Sequence, residues 1–154
     1  MIYTFLDSFG SIKVTHMMTL FLALLFNSQF TGWELLSTVQ IENGFDEFMG
    51  SQVDKPVFSE QLKLHEGKEL TLEGFIIPLK EGAGEQAYFI LSRFPYQSCF
   101  FCGAAGPETV VEVFANRKVR YTEDRIKVTG TLRLNRNNPM QLFYILDDCE
   151  VSEL

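Results

Sequence analysis

Two cysteines in one short stretch, Cys99-Phe-Phe-Cys102 followed by Gly103, are the residues best placed to do chemistry in this chain. Two thiolates at this spacing can reach one metal ion, and the glycine lets the backbone turn so that its N–H groups face the sulfurs. A closed zinc site wants four ligands, so the pair supplies half of one. Past residue 32 the chain offers two further nitrogen or sulfur donors, Cys149 and His65. A complete zinc site would therefore be Cys99, Cys102, Cys149 and His65, with Glu108 as a carboxylate candidate. Taken singly, Cys149 reads as a small packed residue of the last strand and His65 as a solvated residue after a short helix. The loop cysteines could instead close as a Cys99–Cys102 disulfide, which an oxidising compartment favours. A dithiol catalyst is the third reading, but such sites usually place the first cysteine at a helix N-terminus. Here Gly103-Ala-Ala-Gly-Pro107 follows, which favours a turn, and no basic residue lies between the cysteines. Metal site, structural disulfide and redox pair all stay open.

Little else signals catalysis, and the reading leans away from an enzyme. There is no Gly-x-Ser-x-Gly, no phosphate loop and no His-Glu-x-x-His, and a Ser-His-Asp triad would rest wholly on His65. The formal net charge of -7 argues against non-specific nucleic-acid binding, which needs cations to displace counterions from phosphates. That charge is uneven. Between Arg117 and Arg136 lie seven Lys or Arg residues against Glu123 and Asp124, a local excess of +5 that leaves -12 on the remainder. Such a stretch either docks an acidic partner or lipid headgroups, or simply keeps exposed strands soluble.

The elements that must hold the cysteine loop are strands. Glu69–Ile77 alternates Leu70, Leu72 and Ile76 against Glu69, Thr71 and Glu73, with Gly74 suited to a bulge or sharp bend. Residues 88–91 and 109–114 predict two more strands, with the cysteine loop between them. The clearest is 125–135: Ile126, Val128, Leu132 and Leu134 share one face, and Lys127, Thr129, Thr131 and Arg133 share the other. Residues 142–151 predict a fifth. Five strands with a long, glycine-bearing first member suggest an all-β, small, partly open barrel of the OB-like type, with a β-sandwich fragment as the alternative. The 15 Phe, 5 Tyr and 1 Trp are ample to fill its core. Residues 33–67 read as an arm in which Trp33-Glu-Leu-Leu36 and Phe45-Asp-Glu-Phe48 are apolar anchors, and residues 68–154 as the barrel. Ser59 is placed to cap one short helix through Leu64, with Gly67 stopping it.

Before the arm, Met17 to Phe26 is an apolar run with one polar member, Thr19. Lys13 and His16 precede it, and Asn27, Ser28 and Gln29 follow. At ~1.5 Å per residue it spans about half of a bilayer core. It therefore reads as a signal peptide or N-terminal hydrophobic segment over residues 1–32, with no stable membrane span in the mature form. The expected protein is exported, periplasmic or otherwise in the cell envelope, with one domain over residues 33–154.

The stretch Cys99-Phe-Phe-Cys-Gly-Ala-Ala-Gly-Pro-Glu-Thr-Val-Val-Glu-Val113 resembles the central motif of an uncharacterised family of small exported bacterial proteins. Trp33-Glu-Leu-Leu36, Glu66 to Leu79 and Tyr144-Ile-Leu-Asp-Asp148 are similar to that family too, so the resemblance spans most of residues 33–151. More distantly the chain resembles exported proteins of unknown function, many of them lipoproteins, with a Gly-Phe-x-x-Pro-Leu first strand and a cysteine aligned with Cys99. Some of those are encoded beside ABC-transporter components and linked to metal supply. The resemblance implies an accessory role in transport or metal handling, with an envelope protein or transporter component as partner. It brings no enzymatic activity. Lipid anchoring does not carry over, because no cysteine follows the apolar run before Cys99.

Overall fold

The computed structural model describes residues 32–79 and 84–154. The expected export segment lies outside them except for Gly32, and so does most of the turn between the first two barrel strands. Among the described residues no helix is long and apolar enough to cross a membrane. The chain runs through α1 (Gly32–Leu36), a hairpin of β1 (Gln40–Asp46) and β2 (Ser51–Val57), and α2 (Glu60–His65). Five longer strands follow: β3 (Glu69–Ile77), β4 (Glu85–Ser92), β5 (Val110–Arg120), β6 (Ile126–Leu134) and β7 (Tyr144–Glu153). Between β4 and β5 stand three single-turn 3-10 helices.

β3 to β7 form a closed barrel in the order β3-β4-β5-β7-β6. Every pairing is antiparallel except β5 with β7, which is parallel. The expected all-β, OB-like five-stranded barrel is therefore the fold, and it is fully closed where the sequence suggested a partly open one. Closure depends on β3, which pairs with β6 over Glu69–Gly74 and with β4 over Phe75–Ile77. Gly74 sits at the changeover, where a β-carbon would run into the Ser92 carbonyl oxygen. Only glycine lets the strands come this close.

Alternation on β6 follows the expected pattern. Ile126, Val128, Leu132 and Leu134 are buried, while Lys127 and Thr129 are half-buried and Arg133 is exposed. Gly130 also faces the interior, and the Cys149 side chain fills the space opposite it. There β6 and β7 slip in register between Thr129 and Thr131, and Asp148 takes a left-handed φ of 53°. This is a β-bulge, and it turns Cys149 inward.

The arm is more structured than the sequence suggested. Trp33, Leu35 and Leu36 of α1 belong to the same buried cluster as the barrel interior, together with Phe58 and Leu62. Two hydrogen bonds fix this plug: the Trp33 indole N–H donates to the Glu73 carbonyl at 2.8 Å, and the Tyr144 hydroxyl donates to the Leu36 carbonyl at 2.6 Å. α2 is capped as expected, with the Ser59 hydroxyl accepting from the Leu62 N–H at 3.2 Å. The single expected helix is thus one of two among the described residues. The hairpin β1–β2, a separate two-stranded sheet, has no counterpart in the sequence reading: its residues are mostly exposed, so no buried face imposes alternation on them.

Candidate functional site

The cysteine loop, residues 93–109, is clamped at its base. The Arg93 N–H donates to the Thr109 carbonyl at 2.9 Å, prolonging the β4–β5 ladder beyond Ser92 and Val110. Within the loop, 3-10 turns at Tyr96–Ser98 and Phe100–Cys102 flank Cys99, and a third at Pro107–Thr109 leads into β5. Gly103 ends the second turn with a φ of 74°, and its N–H donates to the Phe100 carbonyl at 2.9 Å. The 3-10 turn thus claims this amide.

The two sulfurs have unlike surroundings. Cys99 is fully buried in a small cluster with Ile77, Ile90 and Val110, against which Phe100 and Leu142 pack. These strand residues alternate with Ile76, Phe89, Leu91 and Val111 of the barrel interior, so the Cys99 cluster lies on the outside of the wall. Cys102 is exposed, and its thiol donates to the Tyr96 carbonyl at 3.1 Å. Partial loss of hydration, then the hydrogen bond and charge of the neighbouring Cys99 thiol, raise the Cys102 pKa above its ordinary value. One 3-10 turn joins the pair, the Cys102 N–H donating to the Cys99 carbonyl at 3.1 Å, and all three cysteines are free thiols.

The other proposed donors stand elsewhere. Cys149 is buried inside the barrel, where its thiol donates to the Leu146 carbonyl at 3.2 Å. Burial, partly offset by a hydrogen bond to the Phe114 backbone, pushes that thiol up to about 12. His65 ends α2, with Nδ1 bonded to the Gln61 carbonyl at 2.8 Å. Glu108 folds its carboxylate back over Gly106. Among the described residues no three His, Cys, Asp or Glu side chains gather in an arrangement that could hold a metal ion. The structure thus brings Cys99 and Cys102 together and places Cys149 and His65 in other parts of the fold.

One residue beside the loop escapes a sequence reading. Glu112 is buried on the outward face of β5, accepting from the Leu142 N–H at 2.6 Å and from the Tyr88 hydroxyl at 3.1 Å. It ties the β6–β7 connection to the wall next to the Cys99 cluster. Between two valines of a strand, a glutamate reads as an ordinary solvated residue, and no local signal marks this one. Burial, followed by the charge of Glu112 and its hydrogen bond, raises the Tyr88 pKa. Tyr88 and Phe114 pack ring to ring at 4.9 Å, both partly exposed.

The basic stretch is partly neutralised. Arg133 makes a two-pronged contact with Asp147 at 2.6 and 3.0 Å, and Arg136 does the same with Glu66 at 2.6 and 2.8 Å. Lys127 lies 3.4 Å from Glu73, and Arg125 stands over the Phe75 ring at 5.6 Å. Arg133, Arg136 and Lys127 are therefore held in local ion pairs. Comparison of the chain with models of known protein families, with curated proteins and with solved structures gives no match.

Proposed function

We propose that this protein is a non-enzymatic, exported binding or accessory module of the cell envelope, in which thiolates of the Cys99/Cys102 loop hold a metal ion. Its role would be in transport or metal handling, serving an envelope protein or transporter component and not nucleic acid. The observation that carries this reading is the placement of two free thiols joined by one 3-10 turn on a loop clamped at its base, one sulfur seated in hydrocarbon and the other open to solvent. Such a pair is preorganised: the cost of ordering the ligands is met by folding, not by binding.

The test is metal content. Protein purified under reducing conditions and loaded with zinc or copper should carry about one equivalent, lost on Cys102→Ser. Metal well below one equivalent, or unchanged by that substitution, overturns the reading. A thiol–disulfide role is the second reading, favoured by the same adjacency of free thiols. Against it, the exposed thiol has a raised pKa, whereas an attacking cysteine is normally activated by a lowered one. An interaction domain stapled by a Cys99–Cys102 disulfide is the third, and non-reducing mass analysis separates it from the first.

A further inference from the structure

Resting on the metal reading above, we infer that the ion suited to this loop is a soft monovalent d10 cation, Cu(I), held between the Cys99 and Cys102 sulfurs alone, and not zinc. Coordination number decides it. Zinc in a closed site takes four donors, while soft thiolate ligands select Cu(I), which two sulfurs satisfy. The fold sends the remaining donors elsewhere. Cys149 lies on the inner side of the barrel wall, hydrogen-bonded to the Leu146 carbonyl, and His65 Nδ1 is bonded to the Gln61 carbonyl.

The immediate surroundings agree. Around Cys99 the apolar neighbours are Ile77, Ile90, Val110, Phe100 and Leu142, and the Glu112 carboxylate nearby is already engaged by the Leu142 N–H and the Tyr88 hydroxyl. Among the described residues no three His, Cys, Asp or Glu side chains gather to complete a zinc site. A two-sulfur ion needs nothing from that side. Low polarity there also holds water away from a cation that binds hard ligands poorly. Both thiols lose their protons on binding, so uptake releases two protons and turns two thiolates and one Cu(I) into a unit of net charge -1. The hydrogen bond from Cys102 to the Tyr96 carbonyl is given up in that step.

The experiment titrates reduced, full-length protein anaerobically with Cu(I) against a colorimetric Cu(I) chelator, and in parallel with Zn(II) against a zinc chelator. X-ray absorption then counts the neighbours of the bound metal. Expected are one equivalent of Cu(I), two sulfur neighbours and no nitrogen, and an affinity lowered about a hundredfold or more by Cys102→Ser. Cys149→Ala and His65→Ala should each leave Cu(I) affinity within about threefold. Because Cys102 is exposed, its substitution leaves the core untouched, which guards against a folding failure in Cys99→Ser. Zn(II) held with Cys149 or His65 among its ligands, and Cu(I) surrendered to the chelator, overturns this inference while the metal site stands. Retention of neither ion overturns both.

Discussion

Replacing Gly130 by alanine adds one methyl group to the inside of the barrel, and its neighbours are known. The new β-carbon would press on the Cys149 sulfur and come within 2.8 Å of the Asp147 carbonyl oxygen. In an ordinary strand position glycine to alanine favours folding by roughly 0.5–1 kcal/mol, because the unfolded chain loses freedom. Overpacking a filled core costs about 1–3 kcal/mol. The clash therefore wins, and Gly130→Ala should destabilise by about 1–2 kcal/mol, or roughly 4–8 °C in melting temperature. Cys149→Ala alone removes a buried sulfur and should cost about 1 kcal/mol. In the double variant the methyl group added at position 130 enters the space the sulfur leaves, so the two losses should not add: a favourable coupling of about 0.5–1.5 kcal/mol is expected. Rescue stays partial, because the Asp147 carbonyl is backbone and cannot swing away. Urea unfolding of the four proteins with reductant present measures the cycle. A Gly130→Ala protein as stable as the parent, or losses additive within about 0.3 kcal/mol, would refute the reasoning.

Other outcomes follow from the same packing. Leu132→Ala, at a buried position of β6, should lower stability by about 2–5 kcal/mol in the same urea assay, whereas Arg133→Ala on the outward face should cost no more than about 1 kcal/mol. Burial, with the charge of Glu108 adding to it, raises the Tyr144 pKa far above its ordinary value of 10.0. The unfolded chain therefore ionises first, so the Tyr144 contribution is whole below pH 10 and is lost as pH rises above it. Thermal melts of Tyr144→Phe should show a shallower alkaline decline than the parent, with about 1 kcal/mol lost at neutral pH for the missing bond to Leu36.

What the sequence discloses depends on which interactions are local. The barrel strands are legible because one face of each is buried, which forces alternation on residues such as Ile126 to Leu134. Ser59 announces α2 because a cap is a contact three residues away. α1 stays hidden because five residues are too few to show a helical period, and its stability comes from distant partners, Glu73 and Tyr144. The hairpin stays hidden because Gln40 to Asp46 has almost nothing buried, and Pro56 in its partner reads as a break. At the site, the spacing of Cys99 and Cys102 is visible, but their unequal burial is not. It depends on Ile77, Ile90 and Val110 converging from three strands. The inward turn of Cys149 is equally hidden, since it follows from a bulge opposite a glycine on another strand.

Counting reactive thiols tests most directly whether Cys99 and Cys102 act as one metal-binding unit. In reduced, metal-free protein a maleimide probe should label Cys102 fast and the two buried thiols slowly. One equivalent of Cu(I) should abolish the fast phase, and peptide mapping should find Cys102 protected while Cys149 is unaffected. If Cys102 stays as reactive with metal as without it, the two sulfurs do not share an ion, and the account of this loop is wrong.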